Sequence, residues 1–123
     1  MPVAQDYRIL LVDDETDFLE TTCKRLARRG FQVKSATTCA AGQEIVASGW
    51  PQLVVLDVML PDQDGIECLK GIKDKNRKLP VVMLTGHASM RAGLKGMEYG
   101  ATDYCLKPIE LDELVEKLLI ALR

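Results

Sequence analysis

Leu53-Val54-Val55-Leu56-Asp57 decides the fold: four apolar residues in a row, without polar alternation, closed by an acid. A strand with one wet face alternates, whereas a run apolar throughout is buried on both faces, as in a parallel sheet. Ile9-Leu10-Leu11-Val12 and Val81-Val82-Met83-Leu84 repeat the pattern. Weaker strands are expected at Phe31-Gln32-Val33-Lys34-Ser35 and at Asp103-Tyr104-Cys105-Leu106, the latter stopped by Lys107-Pro108.

Helical spacing fills the gaps between these runs. Phe18, Leu19, Thr22, Cys23 and Leu26 recur at three- and four-residue steps and Gly30 closes the segment. Thr38 is the expected N-cap of a second helix carrying Ala41, Ile45 and Val46. Gly65 opens a third, with Ile66, Leu69 and Ile72; Met90, Leu94 and Met97 mark a fourth. Leu111, Leu114, Val115, Leu118, Leu119 and Leu122 form one stripe on a fifth. Five alternations predict an α/β, doubly wound (βα)5 domain with a parallel five-stranded sheet; the flavodoxin-like strand order 2-1-3-4-5 is the arrangement taken for it. Residues 1–123 are expected to be a single unit, since nothing resembles a linker, repeat or low-complexity tract.

The 123 residues carry 16 Lys+Arg against 18 Asp+Glu, a net charge of −2, with 47% hydrophobic and 28% charged residues. That balance fits a globular domain able to build its own core. It lacks the basic excess of a general nucleic-acid binder. Apolar runs fall far short of the ~20 residues of a membrane span. The start, broken by Gln5, Asp6 and Arg8, does not read as a leader, so a cytoplasmic location is expected. Cys23, Cys39, Cys68 and Cys105 are widely spaced, form no C-x-x-C, and lie far from the single histidine, His87. They are expected to be buried, reduced thiols rather than ligands or disulfides.

In an open α/β sheet, ligands bind beyond the carboxyl ends of the strands, where strand order reverses. Just there lie Asp13, Asp14 and Glu15, then Asp57, then Thr85-Gly86, then Lys107-Pro108. With the first and third strands adjacent, Asp13, Asp14 and Asp57 converge. Two such charges about 4 Å apart repel by on the order of 4 kcal/mol at an effective dielectric of 20. A hard, oxygen-seeking divalent cation relieves that repulsion, which favours Mg²⁺ over softer metals. A carboxylate beside it can attack phosphorus, while a lysine and a hydroxyl hold phosphoryl oxygens. The bland alternatives are that Asp13 or Asp14 caps the first helix and that Thr85 and Lys107 are ordinary strand-end and turn residues.

Ile9-Leu10-Leu11-Val12-Asp13-Asp14-Glu15, Asp57-Val58-Met59-Leu60-Pro61-Asp62-Gln63-Asp64-Gly65, Leu84-Thr85-Gly86 and Tyr104-Cys105-Leu106-Lys107-Pro108, in that order, resemble the receiver domain of bacterial two-component response regulators from end to end. The resemblance implies a phosphorylation-dependent signalling switch rather than a turnover enzyme. Asp57 would accept a phosphoryl group from a sensor histidine kinase or phosphotransfer protein, with Mg²⁺ held by Asp13, Asp14, Asp57 and the Met59 main-chain carbonyl. Thr85 and Lys107 would contact the phosphate, and Thr85 and Tyr104 would switch the face formed by the fourth helix, fifth strand and fifth helix. That face would also serve a homodimer; no direct contact with nucleic acid or membrane is implied. Met59 and His87 stand where relatives tune phosphate lifetime. Relatives often carry alanine where this chain has Gly93 and Gly96, which predicts a soft fourth helix unless the glycines serve close packing.

Two other classes fit less well. A phosphatase or phosphotransferase of the haloacid-dehalogenase type needs a second aspartate two residues after the first, and Met59 stands there. A receiver-like module with constitutive output has no use for the intact acids, Thr85 and Lys107. A nucleotide or flavin site lacks a glycine-rich loop after the first strand.

Overall fold

The computed structural model describes residues 6–86 and 90–123. Strands β1 (Arg8–Val12), β2 (Gln32–Ala36), β3 (Leu53–Asp57), β4 (Val81–Thr85) and β5 (Asp103–Leu106) alternate with helices α1 (Thr16–Arg28), α2 (Cys39–Ala47), α3 (Gly65–Lys75), α4 (Met90–Glu98) and α5 (Leu111–Ala121). All ladders are parallel and the order is β2-β1-β3-β4-β5, as expected from the sequence. Every residue of β3 and β4 is buried, the outcome of being covered on both faces.

The period of two along the strands divides the core. Leu10, Val12, Val54, Leu56, Val81 and Met83 point to a cluster closed by Cys39, Val46, Ile66, Leu69 and Ile72 from α2 and α3. Ile9, Leu11, Leu53, Val55, Val82 and Leu84 point the other way, against Leu19 and Leu26 of α1 and Leu114 and Leu118 of α5. The Thr38 side chain caps α2 by accepting the Ala41 N–H at 3.1 Å. β2 begins one residue later than the sequence indicated, because Phe31 is spent on the α1–α5 side of the core.

Two expectations need correction. Cys39 and Cys68 are not reduced: they form a disulfide, with Cα atoms 5.9 Å apart, while Cys23 and Cys105 are free. A separation of 29 residues hid this pairing, which exists because α2 and α3 lie side by side on one face. Two of the apolar residues that marked α4 do not face the core either, since Leu94 is 52% and Met97 40% exposed. The buried contact is instead Gly96, where a Cβ would lie 3.0 Å from Met83 Cγ, so this glycine serves close packing. His87 lies outside the described residues.

Candidate functional site

Register places the chemistry. Val12 pairs with Leu56, Asp57 with Leu84 and Thr85 with Leu106, so the next residues along β1, β3, β4 and β5 meet at one edge. Backbone bonds continue the ladders past the strands: Val58 N–H donates to the Leu84 carbonyl at 3.1 Å, and Lys107 N–H to the Thr85 carbonyl at 2.7 Å. Asp13, Asp57 and Thr85 are the buried polar residues at this edge.

Asp13, Asp14 and Asp57 each offer a carboxylate oxygen, and the three oxygens lie within 4.8 Å of one another. Lys107 Nζ sits at the mouth, 2.7 Å from Asp13 Oδ2, 2.6 Å from Glu15 Oε1 and 3.5 Å from Asp57 Oδ2. The approach to Asp13 Oδ2 is a charge contact without hydrogen-bond alignment, because that buried oxygen has no hydrogen-bond partner among the described residues. A buried, under-coordinated carboxylate oxygen costs free energy unless a cation completes it. The donor set is all oxygen and anionic, and it fits a hard divalent cation.

Burial pushes the Asp57 carboxyl up to about 6; the neighbouring Asp13 charge adds to this, while the Met59 N–H, donating to Asp57 Oδ1 at 3.1 Å, and Lys107 oppose it. Burial alone would lower Lys107, but its ion pairs with Asp13 and Glu15 outweigh that and hold the ammonium above its ordinary value. Thr85 is fully buried, and its hydroxyl donates to the Cys105 carbonyl at 3.5 Å, a long bond that a better acceptor can displace. Tyr104 is half-buried and packs against the α2–α3 side of the core. The Met59 side chain is 66% exposed, and its backbone pairs with Asp64 in an isolated antiparallel bridge.

Neither Asp13 nor Asp14 is the N-cap residue of α1, although Asp13 Oδ1 accepts the Glu15 N–H at 2.9 Å just before the helix. Glu15 is the N-cap residue of α1 and makes no cap bond with its side chain, which reaches Lys107 instead. Three participants were not legible as such in the sequence. Glu15 was visible only as a third acid. Phe18 read as core, yet its ring lies 4.6 Å below Lys107 Nζ and holds the ammonium by a cation–π contact. Asp62 stood only within the quoted motif and had no role assigned, yet its carboxylate accepts the Cys39 and Ala40 N–H groups at 2.9 and 3.0 Å.

Residues 9–119 match the family model of the response regulator receiver domain. The photosynthetic apparatus regulatory protein RegA of Rhodobacter capsulatus is 32% identical over 95% of this chain and 64% of its own length. The phosphate regulon transcriptional regulatory protein PhoB of Escherichia coli is 37% identical over 94% of this chain and 52% of its own. The chain therefore spans about half to two thirds of these curated relatives. Among solved structures, a CheY-like receiver domain protein from Methanospirillum hungatei superposes with a TM-score of 0.90 at 32% identity, covering 95% of this chain and 94% of that one. Fold, strand order and sequence agree: the chain belongs to the family of response regulator receiver domains.

Proposed function

We propose that residues 1–123 act as one receiver unit and that Asp57 is its phosphoacceptor, with Mg²⁺ held by Asp13, Asp14, Asp57 and the Met59 carbonyl. The observation that carries this reading is the gathering of three carboxylates, one of whose oxygens has no hydrogen-bond partner among the described residues, with a lysine at the mouth. Mg²⁺, when bound, supplies positive charge against the phosphoryl oxygens and keeps the acceptor ionised. The Asp57 oxygen attacks phosphorus, a bond to the partner's phosphohistidine nitrogen breaks, and the imidazole leaves. Lys107, in contact with three carboxylates, is released from part of that load and pairs with a phosphoryl oxygen. Thr85 exchanges its long bond to Cys105 for a second phosphoryl oxygen, and Tyr104 follows it inward.

The donor is a sensor histidine kinase or a phosphotransfer protein, and the location is cytoplasmic; among the described residues no helix is long and apolar enough to cross a membrane. The domain is regulatory, and its only chemistry is its own phosphorylation and hydrolysis. Leu94 and Met97 on α4 and Ile120 on α5 are exposed apolar side chains, which supports a second copy docking on the α4–β5–α5 face. Binding to nucleic acid is left to other parts of such regulators.

Incubation with a small phosphodonor and Mg²⁺, followed by intact-mass measurement of wild type and Asp57→Asn, tests the assignment. One acid-stable, base-labile adduct is expected in wild type and none in the variant. An undiminished adduct in Asp57→Asn places the acceptor elsewhere.

A further inference from the structure

Cys39 and Cys68 take no part in the chemistry above, yet they are built into its frame. Cys39 is the first residue of α2 and Cys68 lies in the first turn of α3, with the sulfurs bonded and both residues fully buried. Both main chains hold the loop that comes after Asp57. The Cys39 N–H donates to Asp62 Oδ1 at 2.9 Å, and the Cys68 N–H donates to the Asp64 carbonyl at 2.9 Å. Asp64 in turn bridges Met59, whose N–H holds Asp57. The sulfur bond thus closes a ring that runs from α2 through Asp62 and the acceptor loop to α3 and back.

A domain of this size has enough core to fold without a staple. In the cytoplasmic compartment proposed above thiols are kept reduced, and a disulfide there is ordinarily transient and redox-sensing. We propose that Cys39 and Cys68 form a redox modification site whose oxidant is a hydroperoxide, and that its oxidation state sets the rigidity of the acceptor loop. Only the effect on phosphoryl uptake rests on the phosphoacceptor reading.

The chemistry balances as two thiols and ROOH giving a disulfide, ROH and water. One thiolate attacks the distal peroxide oxygen, the O–O bond breaks, and a sulfenic acid and the alcohol form. The second thiolate attacks that sulfur and displaces its hydroxyl as water; the sulfurs lose two electrons and the peroxide gains them. Cys39 is assigned as the first attacker, because in the bonded state a donor already stands beside its sulfur, Gln43 Nε2 at 3.2 Å, and Lys75 fixes the same Gln43 amide through Oε1 at 2.6 Å. Access comes from opening the first turn of α2, where Ala40 and Ala41 are already exposed. Such end turns open at a fraction of the global unfolding free energy, so the reaction is gated and slow. Cys23 and Cys105 are internal controls: each is unpaired, and burial raises both thiols, Cys105 to about 11.

The test takes the full chain, reduces it, and divides it between hydrogen peroxide and a dithiol reductant. Free thiols are counted by alkylation after denaturation, and a non-reducing peptide map locates any link. Amide exchange of residues 58–64 and uptake of phosphoryl groups from a small donor are then compared in the two states. Peroxide should remove two of the four thiols and link Cys39 to Cys68. The loop should exchange several-fold more slowly and phosphoryl uptake should be several-fold faster in the oxidised form. Cys39→Ser and Cys68→Ser should lose the response and Cys23→Ser should keep it; the wild-type comparison stands even if a variant folds poorly. Four thiols surviving peroxide, or a link that leaves both loop exchange and phosphoryl uptake unchanged, overturns the proposal. A loop response in a chain that takes no phosphoryl group in either state supports the thiol site and overturns the phosphoacceptor reading instead.

Discussion

Asp57 and Asp62 belong to one short segment and carry the same side chain, yet their surroundings drive them in opposite directions. Asp57 ends a buried strand beside the like charge of Asp13, and burial first, then that charge, raises its carboxyl to about 6. Asp62 is exposed, and the N–H groups of Cys39 and Ala40 hold its carboxyl below the ordinary range. The first is a carboxylate whose ionised form is disfavoured by burial and by a like charge, which a nearby cation would relieve. The second is saturated by two helix N-terminal donors and acts as a strut. Burial beside a like charge in one case, and exposure with two N–H donors in the other, set the direction of the shift, not the kind of residue.

Breaking the segment that joins the two acids should have the largest effect. A Cβ on Gly65 would stand 2.5 Å from Val58 Cα and 2.5 Å from its carbonyl oxygen, both main-chain atoms that cannot turn aside. Gly65→Ala should destabilise the domain by about 3 kcal/mol, measured by denaturant unfolding, and should disturb Asp57 and Asp62 together. A loss within about 0.5 kcal/mol, the range of ordinary surface changes, would mean that the loop adjusts without the strand.

Next comes the charge on Asp57 itself. Its pKa in the fold lies above the ordinary 3.8, so its contribution to stability is complete below about pH 4 and is lost as pH climbs through about 6. At pH 7 without divalent cations the ionised group is a burden. Asp57→Asn should therefore stabilise the domain by about 1–3 kcal/mol at pH 7 and by little at pH 4. Thermal unfolding across that range checks the sign, and a uniform destabilisation would contradict it. For the same reason Mg²⁺ affinity, measured by calorimetry, should fall by up to about tenfold per pH unit below about 6, as the cation competes with a proton. Affinity that is flat from pH 7 to pH 5 would remove Asp57 from the binding site.

Much of this was legible in the sequence because parallel strands announce themselves. Runs such as Leu53-Val54-Val55-Leu56 are apolar on both faces, and the residues just past the end of each run must collect at one edge. Asp13, Asp14, Asp57 and Lys107 were found that way. The hidden features depend on helix neighbours rather than on strand ends. The Cys39–Cys68 bond and the Asp62 cap both cross between α2 and another segment, and no local pattern encodes which helices touch. Glu15 and Phe18 were misread for a related reason: an exposed acid and a half-buried ring look ordinary until a lysine from the end of β5 arrives between them. In α4, Leu94 and Met97 supplied the helical period but not the buried face, because Gly96 takes the close contact.

The smallest effect is expected from Asp62, and it tests the other half of the contrast. Asp62→Ala removes acceptors for two N–H groups, the exposed one of Ala40 and that of buried Cys39, and no charge is left buried, so the loss of stability should be the smallest of the set. Its sign with pH is opposite to that of Asp57. A lowered carboxyl contributes stability above the ordinary carboxylate pKa and loses it as pH falls through its own lower value. The difference between wild type and Asp62→Ala should thus be greatest near neutrality and should close in acid. The local readout is sharper than the global one: the Cys39 and Ala40 amides should exchange faster in the variant while β3 and β4 amides keep their protection. Asp62→Asn, which keeps one acceptor oxygen, should fall between the two. Equal protection at Cys39 and Ala40 in all three proteins would show that the carboxylate tracks the helix end rather than fixing it, and the strut would have to be sought in the sulfur bond alone.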